Sequence, residues 1–173
     1  MTAEEAELAS LLNTYRNQNG LADVPVTGSL TAVAQWHVMD LHENNPDTGT
    51  DLGNGLACNM HSWSNATPGL WQPVCYTSDH QYAQGMWDKP REISNNVYSD
   101  NGYEIAYGSS GQASAAGALS SWQSSSGHNG VILEQGIWAG KKWPAMGIGI
   151  YEHHAVVWFG NATDSQGTVT QCP

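Results

Sequence analysis

Between residues 44 and 102 the chain loses almost all hydrophobic periodicity and becomes rich in Asn, Gly, Asp, Ser, Pro and Trp. A loop-rich segment of that length inside a compact domain is a functional surface, a segment tethered by a cross-link, or both. Regular structure must therefore come from the flanks, and there the patterns are clear. Leu8, Leu11, Leu12 and Tyr15 recur at helical spacing over residues 3–18, and Gly20 follows them. A second helix is predicted over 29–43, with Ser29 as N-cap and Leu30, Val33, Ala34, His37, Val38 and Leu41 on one face. A third covers 112–125, with Ala115, Ala118, Leu119 and Trp122 inward and the run Ser124-Ser125-Ser126-Gly127 as its end. Only a short helix near 79–88 is expected inside the loop-rich segment.

Two strands close the chain. Met146, Ile148 and Ile150 alternate with small or polar residues over 145–151, and Ala155 to Phe159 is a continuous apolar run within 154–160. Glu152-His153 connects them as in a hairpin, without Asn-Gly turn chemistry. Helices first and a hairpin last predict a layered α+β domain. No repeat or linker divides the sequence, so residues 1–173 read as one domain carrying an insertion at about 44–102.

Charge narrows the partners. Sixteen acidic and five basic residues give a net charge of -11. Phosphate neutralisation needs clustered Lys and Arg, so nucleic acid is excluded as a partner, and anionic membrane surfaces are disfavoured. No apolar run approaches the length of a membrane span. The sequence starts at Met1-Thr2-Ala3-Glu4-Glu5, which reads as the start left after a leader is removed. A monomer is expected. Three cysteines occur without a CxxC pair. Cys58 and Cys75 flank a turn-rich loop, and a disulfide between them would stabilise the fold by about 3 kcal/mol; free, buried thiols are the other reading. Cys172 is left over, either free or paired outside this sequence.

Three positions stand out chemically: His61 in Cys58-Asn59-Met60-His61-Ser62-Trp63-Ser64, Glu104 in Gly102-Tyr103-Glu104-Ile105-Ala106-Tyr107-Gly108, and His128 in Gly127-His128-Asn129-Gly130-Val131-Ile132-Leu133. Two imidazoles and a carboxylate can hold a divalent metal with an open water position, zinc being the expected ion. They can equally do acid–base chemistry, or each can hydrogen-bond loop backbone. His37 and Trp36 read as core or rim of their helix, and nothing in the spacing of His80, His153 or His154 assigns them. Asp47-Thr48-Gly49-Thr50-Asp51 lacks the closing Glu of a calcium loop and reads as a solvated turn. Trp63, Trp71, Tyr76 and Trp87 give the loop-rich segment aromatic surface suited to a sugar, sterol or protein ligand, or to packing.

The order of these motifs resembles the CAP superfamily, which includes cysteine-rich secretory proteins, antigen 5 and pathogenesis-related class 1 proteins. The likeness runs from Leu11-Leu12-Asn13-Thr14-Tyr15-Arg16, through the Glu104 motif, Trp122 and Ser126-Gly127-His128-Asn129-Gly130-Val131-Ile132-Leu133, to Met146-Gly147-Ile148-Gly149-Ile150. It implies a three-layer α-β-α sandwich with a mainly antiparallel central sheet, and a secreted, extracellular protein. It also implies a cleft of two His and two acidic residues. Glu104 and His128 match by motif, and His61 best matches the other His. The second family carboxylate falls on Ser125. The expected function is non-enzymatic binding of a lipid, sterol, glycan or protein ligand. The alternative is a metal-dependent peptidase or esterase in which His61 and His128 hold the ion and Glu104 is the base.

Overall fold

Residues Gly102–Gly108 (β1), Ala145–Tyr151 (β2) and His154–Gly160 (β3) pair into the antiparallel sheet that organises the molecule, in the order β1-β3-β2. The computed structural model describes residues 1–169, and Cys172 lies outside them. β3 is the central strand, and that explains its unbroken apolar run: both faces are covered. Ala155, Val157 and Phe159 point to one side and Val156 and Trp158 to the other.

Four helices are α1 (Ala3–Gln18), α2 (Gly28–Asn44), α5 (Ala115–Ser124) and α6 (Ser126–Ile132). α1, α5 and α6 cover the first face with Leu8, Leu12, Ala118, Leu119, Trp122 and Ile132 packed on Ile105, Met146, Ile148 and Phe159. α1 starts with a capping box in which Glu5 N–H donates to Thr2 Oγ1 (3.2 Å) and Thr2 N–H donates to the Glu5 carboxylate (2.7 Å). α2 covers the second face with Leu30, Val33, Ala34, Val38 and Leu41. This is the α-β-α arrangement expected from the sequence.

The small residues of β2 set how closely α2 lies. A Cβ on Gly147 would stand 1.9 Å from the Leu30 carbonyl carbon, and one on Gly149 would stand 2.4 Å from the Ala34 oxygen. Only hydrogen fits there, so the helix backbone rests directly on the strand. Gly147 shares a cross-strand row with Trp158 and Glu104. Seating α2 on Gly147 therefore also fixes how α2 meets the Glu104 end of that row.

Three sequence expectations are refined. The third helix starts at Ala115 rather than 112 and ends at Ser124, in the serine run as expected, but only Ser125 is extended (φ -103°, ψ 116°) and a further helix, α6, begins at the next residue. The short helix near 79–88 is narrower, α3 at Ala83–Trp87, and α4 at Lys89–Ile93 follows with Pro90 in its first turn. Residues 102–108, read only as a motif, form an edge strand. The rest of the 44–102 segment is mostly turns and isolated bridges, tied by the expected Cys58–Cys75 disulfide and by pairing of Trp63 with Val74.

Candidate functional site

Glu104 projects from β1 toward the α2 side, and its carboxylate is fully buried. Each oxygen meets one imidazole. Oε1 contacts His37 Nδ1, from the apolar face of α2, and Oε2 lies 2.7 Å from His61 Nδ1, from the loop beside the disulfide. His37 Nε2 donates to the Ser62 carbonyl at 3.0 Å. A carbonyl only accepts, so that nitrogen carries a hydrogen, and one proton is held between His37 Nδ1 and Glu104 Oε1. The His37 ring also stacks on Trp63 at 4.1 Å and 6°.

Burial pushes the Glu104 pKa up, but the charge of His37 and the hydrogen bonds from His37 and His61 outweigh it, and the net shift is downward. An ionised Glu104 makes His61 Nδ1 the donor. The second His61 nitrogen, Nε2, is then the one left to act on a ligand. A carboxylate behind a histidine in this way fixes both tautomer and ring orientation.

The backbone around His61 is held locally. Asn59 Oδ1 accepts from His61 N–H (3.0 Å), and Asn59 N–H donates to the Tyr76 carbonyl (2.9 Å). Ser62 Oγ accepts from Tyr76 N–H at 2.9 Å. Asp40 on α2 accepts from Ser64 N–H at 2.8 Å. Buried Lys89 donates to the Gln72 carbonyl (2.6 Å) and to Glu92 (2.7 Å). Together these contacts give the turn-rich segment a fixed shape with little secondary structure.

His61, Glu104 and His128 line one cavity of about 400 Å³. Its walls are mostly apolar: Met86, Trp87, Tyr103, Ile105, Val131 and Trp138. His128 Nδ1 lies 2.9 Å from Ser125 Oγ. Burial lowers the His128 pKa, and the neighbouring His61 lowers it further, so the ring is neutral at ordinary pH. His80 lines the same cavity, and its Nδ1 lies 2.8 Å from the Tyr76 hydroxyl.

The donor set differs from a three-ligand metal centre. Glu104 stands behind His61, with both oxygens engaged, and the imidazoles of His61, His80 and His128 remain at the cavity wall. Among the described residues no three His, Cys, Asp or Glu side chains are placed to share an ion.

The sandwich around the β1-β3-β2 sheet matches solved structures. The fold is that of the SCP-domain (CAP) proteins. An extracellular protein of Bacillus anthracis containing an SCP domain superposes with a TM-score of 0.57 at 16% identity, over 91% of this chain and 40% of that protein. A cysteine-rich secretory protein of Staphylococcus aureus gives 0.54 at 16% identity, over 92% and 39%. An outer surface protein of Borrelia burgdorferi gives 0.53 at 14% identity, over 95% and 96%. The chain thus spans about two fifths of the length of the Bacillus and Staphylococcus proteins. By sequence it matches no protein-family model and no curated protein.

Within the SCP-domain fold the expected residues have distinct places. His61 and Glu104 touch, and His128 lies in the same cavity but turns its Nδ1 to Ser125, the position where the sequence resemblance would expect the second carboxylate. His37 was legible only as a core or rim position, and it is the second partner of Glu104. The available signal was a histidine on an otherwise apolar helix face, which needs a buried partner. His153 and His154 lie elsewhere, beside His42 at the hairpin turn. Asp51 Oδ1 accepts from the N–H groups of Gly53 and Asn54, the solvated turn expected of that segment.

Proposed function

We propose that the domain is a secreted receptor for a compact, largely apolar small molecule that carries one polar group. The observation behind this reading is the 400 Å³ cavity, whose volume falls in the range of small-molecule sites. Apolar and aromatic walls would take the body of the ligand, and the imidazoles of His61 and His128 would meet its polar group. The Cys58–Cys75 bridge beside His61 supports an oxidising, extracellular setting. Metal-assisted hydrolysis with Glu104 as base is less favoured, because His37 and His61 already occupy its two oxygens.

The test is titration with palmitate and with anilinonaphthalene sulfonate, two apolar probes with an anionic head, followed by tryptophan emission. Met86→Trp fills the cavity and should weaken binding by at least about tenfold, equivalent to 1.4 kcal/mol. Unchanged affinity in a folded Met86→Trp protein would refute the reading.

A further inference from the structure

We infer that Ser125 is an acyl-accepting nucleophile with His128 as its base, so that the cavity takes esters of apolar acids and transfers their acyl group to Ser125 Oγ. This rests on the receptor reading above and names the class of ligand.

Three observations carry it. First, Ser125 is the N-cap of α6, yet its hydroxyl makes no capping bond. Thr2 and Ser114, the N-caps of α1 and α5, both do, while Thr27, the N-cap of α2, does not. The Ser125 hydroxyl is instead 2.9 Å from His128 Nδ1. Second, Ser125 is a single extended residue between two helices, and the junction places it, half-buried, in the cavity wall with His128. Third, the cavity offers an apolar acyl group Met86, Trp87, Val131 and Trp138 to pack against. The downward shift of His128 agrees with this, since a base must be neutral to take a proton.

The chemistry balances with water as the only co-reactant. Ser125 Oγ adds to the ester carbonyl carbon as its proton passes to His128 Nδ1. The tetrahedral adduct collapses, the bond to the alcohol oxygen breaks, and the alcohol leaves with the proton from His128. Water then adds to the acyl-serine and gives a proton to His128. The acid leaves as Ser125 Oγ takes that proton back.

The test uses a fluorophosphonate probe and 4-nitrophenyl butanoate with the whole chain. The expected result is a mass gain on the peptide containing Ser125, absent in Ser125→Ala and retained in Ser126→Ala. Ester turnover should vanish in Ser125→Ala and fall by about 100-fold or more in His128→Gln. Palmitate binding by Ser125→Ala checks that the cavity is intact. No label on Ser125, a label on His128 instead, or equal turnover in Ser125→Ala would each overturn the inference. Palmitate binding without label or turnover would do so while leaving the receptor reading standing; loss of both would remove both.

Discussion

The two faces of the sheet are built on different principles. The core of the α1/α5 face is apolar, with Leu8, Leu12, Ile105, Trp122, Met146, Ile148, Val157 and Phe159, and the indole N–H groups of Trp122 and Trp143 each donate to a backbone carbonyl. The α2 face buries His37, Asp40, Ser62, Thr77, Lys89 and Glu104 among its apolar residues. It also leaves Trp63 Nε1 and Trp158 Nε1 without a hydrogen-bond partner. Apolar burial dominates the first face, where the buried charges are Glu5, in the α1 capping box, and Arg16, paired with Glu134. The second depends on partners meeting at set distances, and an unmet buried polar group is costly. Apolar burial dominates one side of the sheet and paired buried polar groups the other, and the cavity lies at the β1 edge, where Tyr103, Ile105 and Val131 of the first face meet Tyr76, Ala83 and Met86 of the second.

Four variants probe that contrast. The largest effect is expected from Gly147→Ala, whose methyl would collide with the Leu30 backbone. α2 must shift, and the His37–Glu104 contact with it, so a loss above about 4 kcal/mol is expected in denaturant titration. A loss under 1 kcal/mol would mean that the close seating of α2 is not what assembles this face.

Next come Phe159→Ala and Glu104→Gln as a pair. Each is expected to cost about 3–5 kcal/mol at neutral pH, one through a cavity in the apolar core and the other by breaking a buried ionic pair. Their pH dependence should separate them. The Glu104 pKa lies below its ordinary 4.5 in the folded protein, so its contribution is present above pH 4.5 and is lost as pH falls through the folded value. The gap between wild type and Glu104→Gln should therefore close in acid, while the gap for Phe159→Ala stays. Parallel curves for both variants would erase the distinction between the faces.

The smallest effect is expected from removing the 58–75 bridge by Cys58→Ser/Cys75→Ser, at about 3 kcal/mol for a loop of this size. Hydrogen exchange should rise around His61 and Tyr76 and stay unchanged in α1 and α5. A uniform rise would show that the two faces unfold as one unit.

Apolar packing was the legible part, on both faces. α1, α2, α5 and the β2–β3 hairpin follow from periodicity, because burial on one side writes itself into spacing. β1 escaped because five consecutive buried residues, one of them Glu104, carry no period-two signal. α6 escaped because the serine run does end α5, and Gly127 and Gly130 hide that a new helix starts one residue later. In the site, His61, Glu104 and His128 were found through motif order. The partnership of His37 with Glu104 spans 67 residues, and the pairing of Ser125 with His128 depends on the backbone corner between α5 and α6. Such meetings are products of tertiary geometry, which local sequence does not encode.

The seating of α2 on Gly147 and Gly149 also has a genetic consequence. Every change away from glycine adds at least one carbon, so no missense change at either codon is conservative in volume. Both codons lie far along the gene from those for His37, His61 and Glu104, yet a lesion in either would be scored as a defect of that site. A mutational screen for function should return these two positions alongside the cavity residues, although neither lines the cavity.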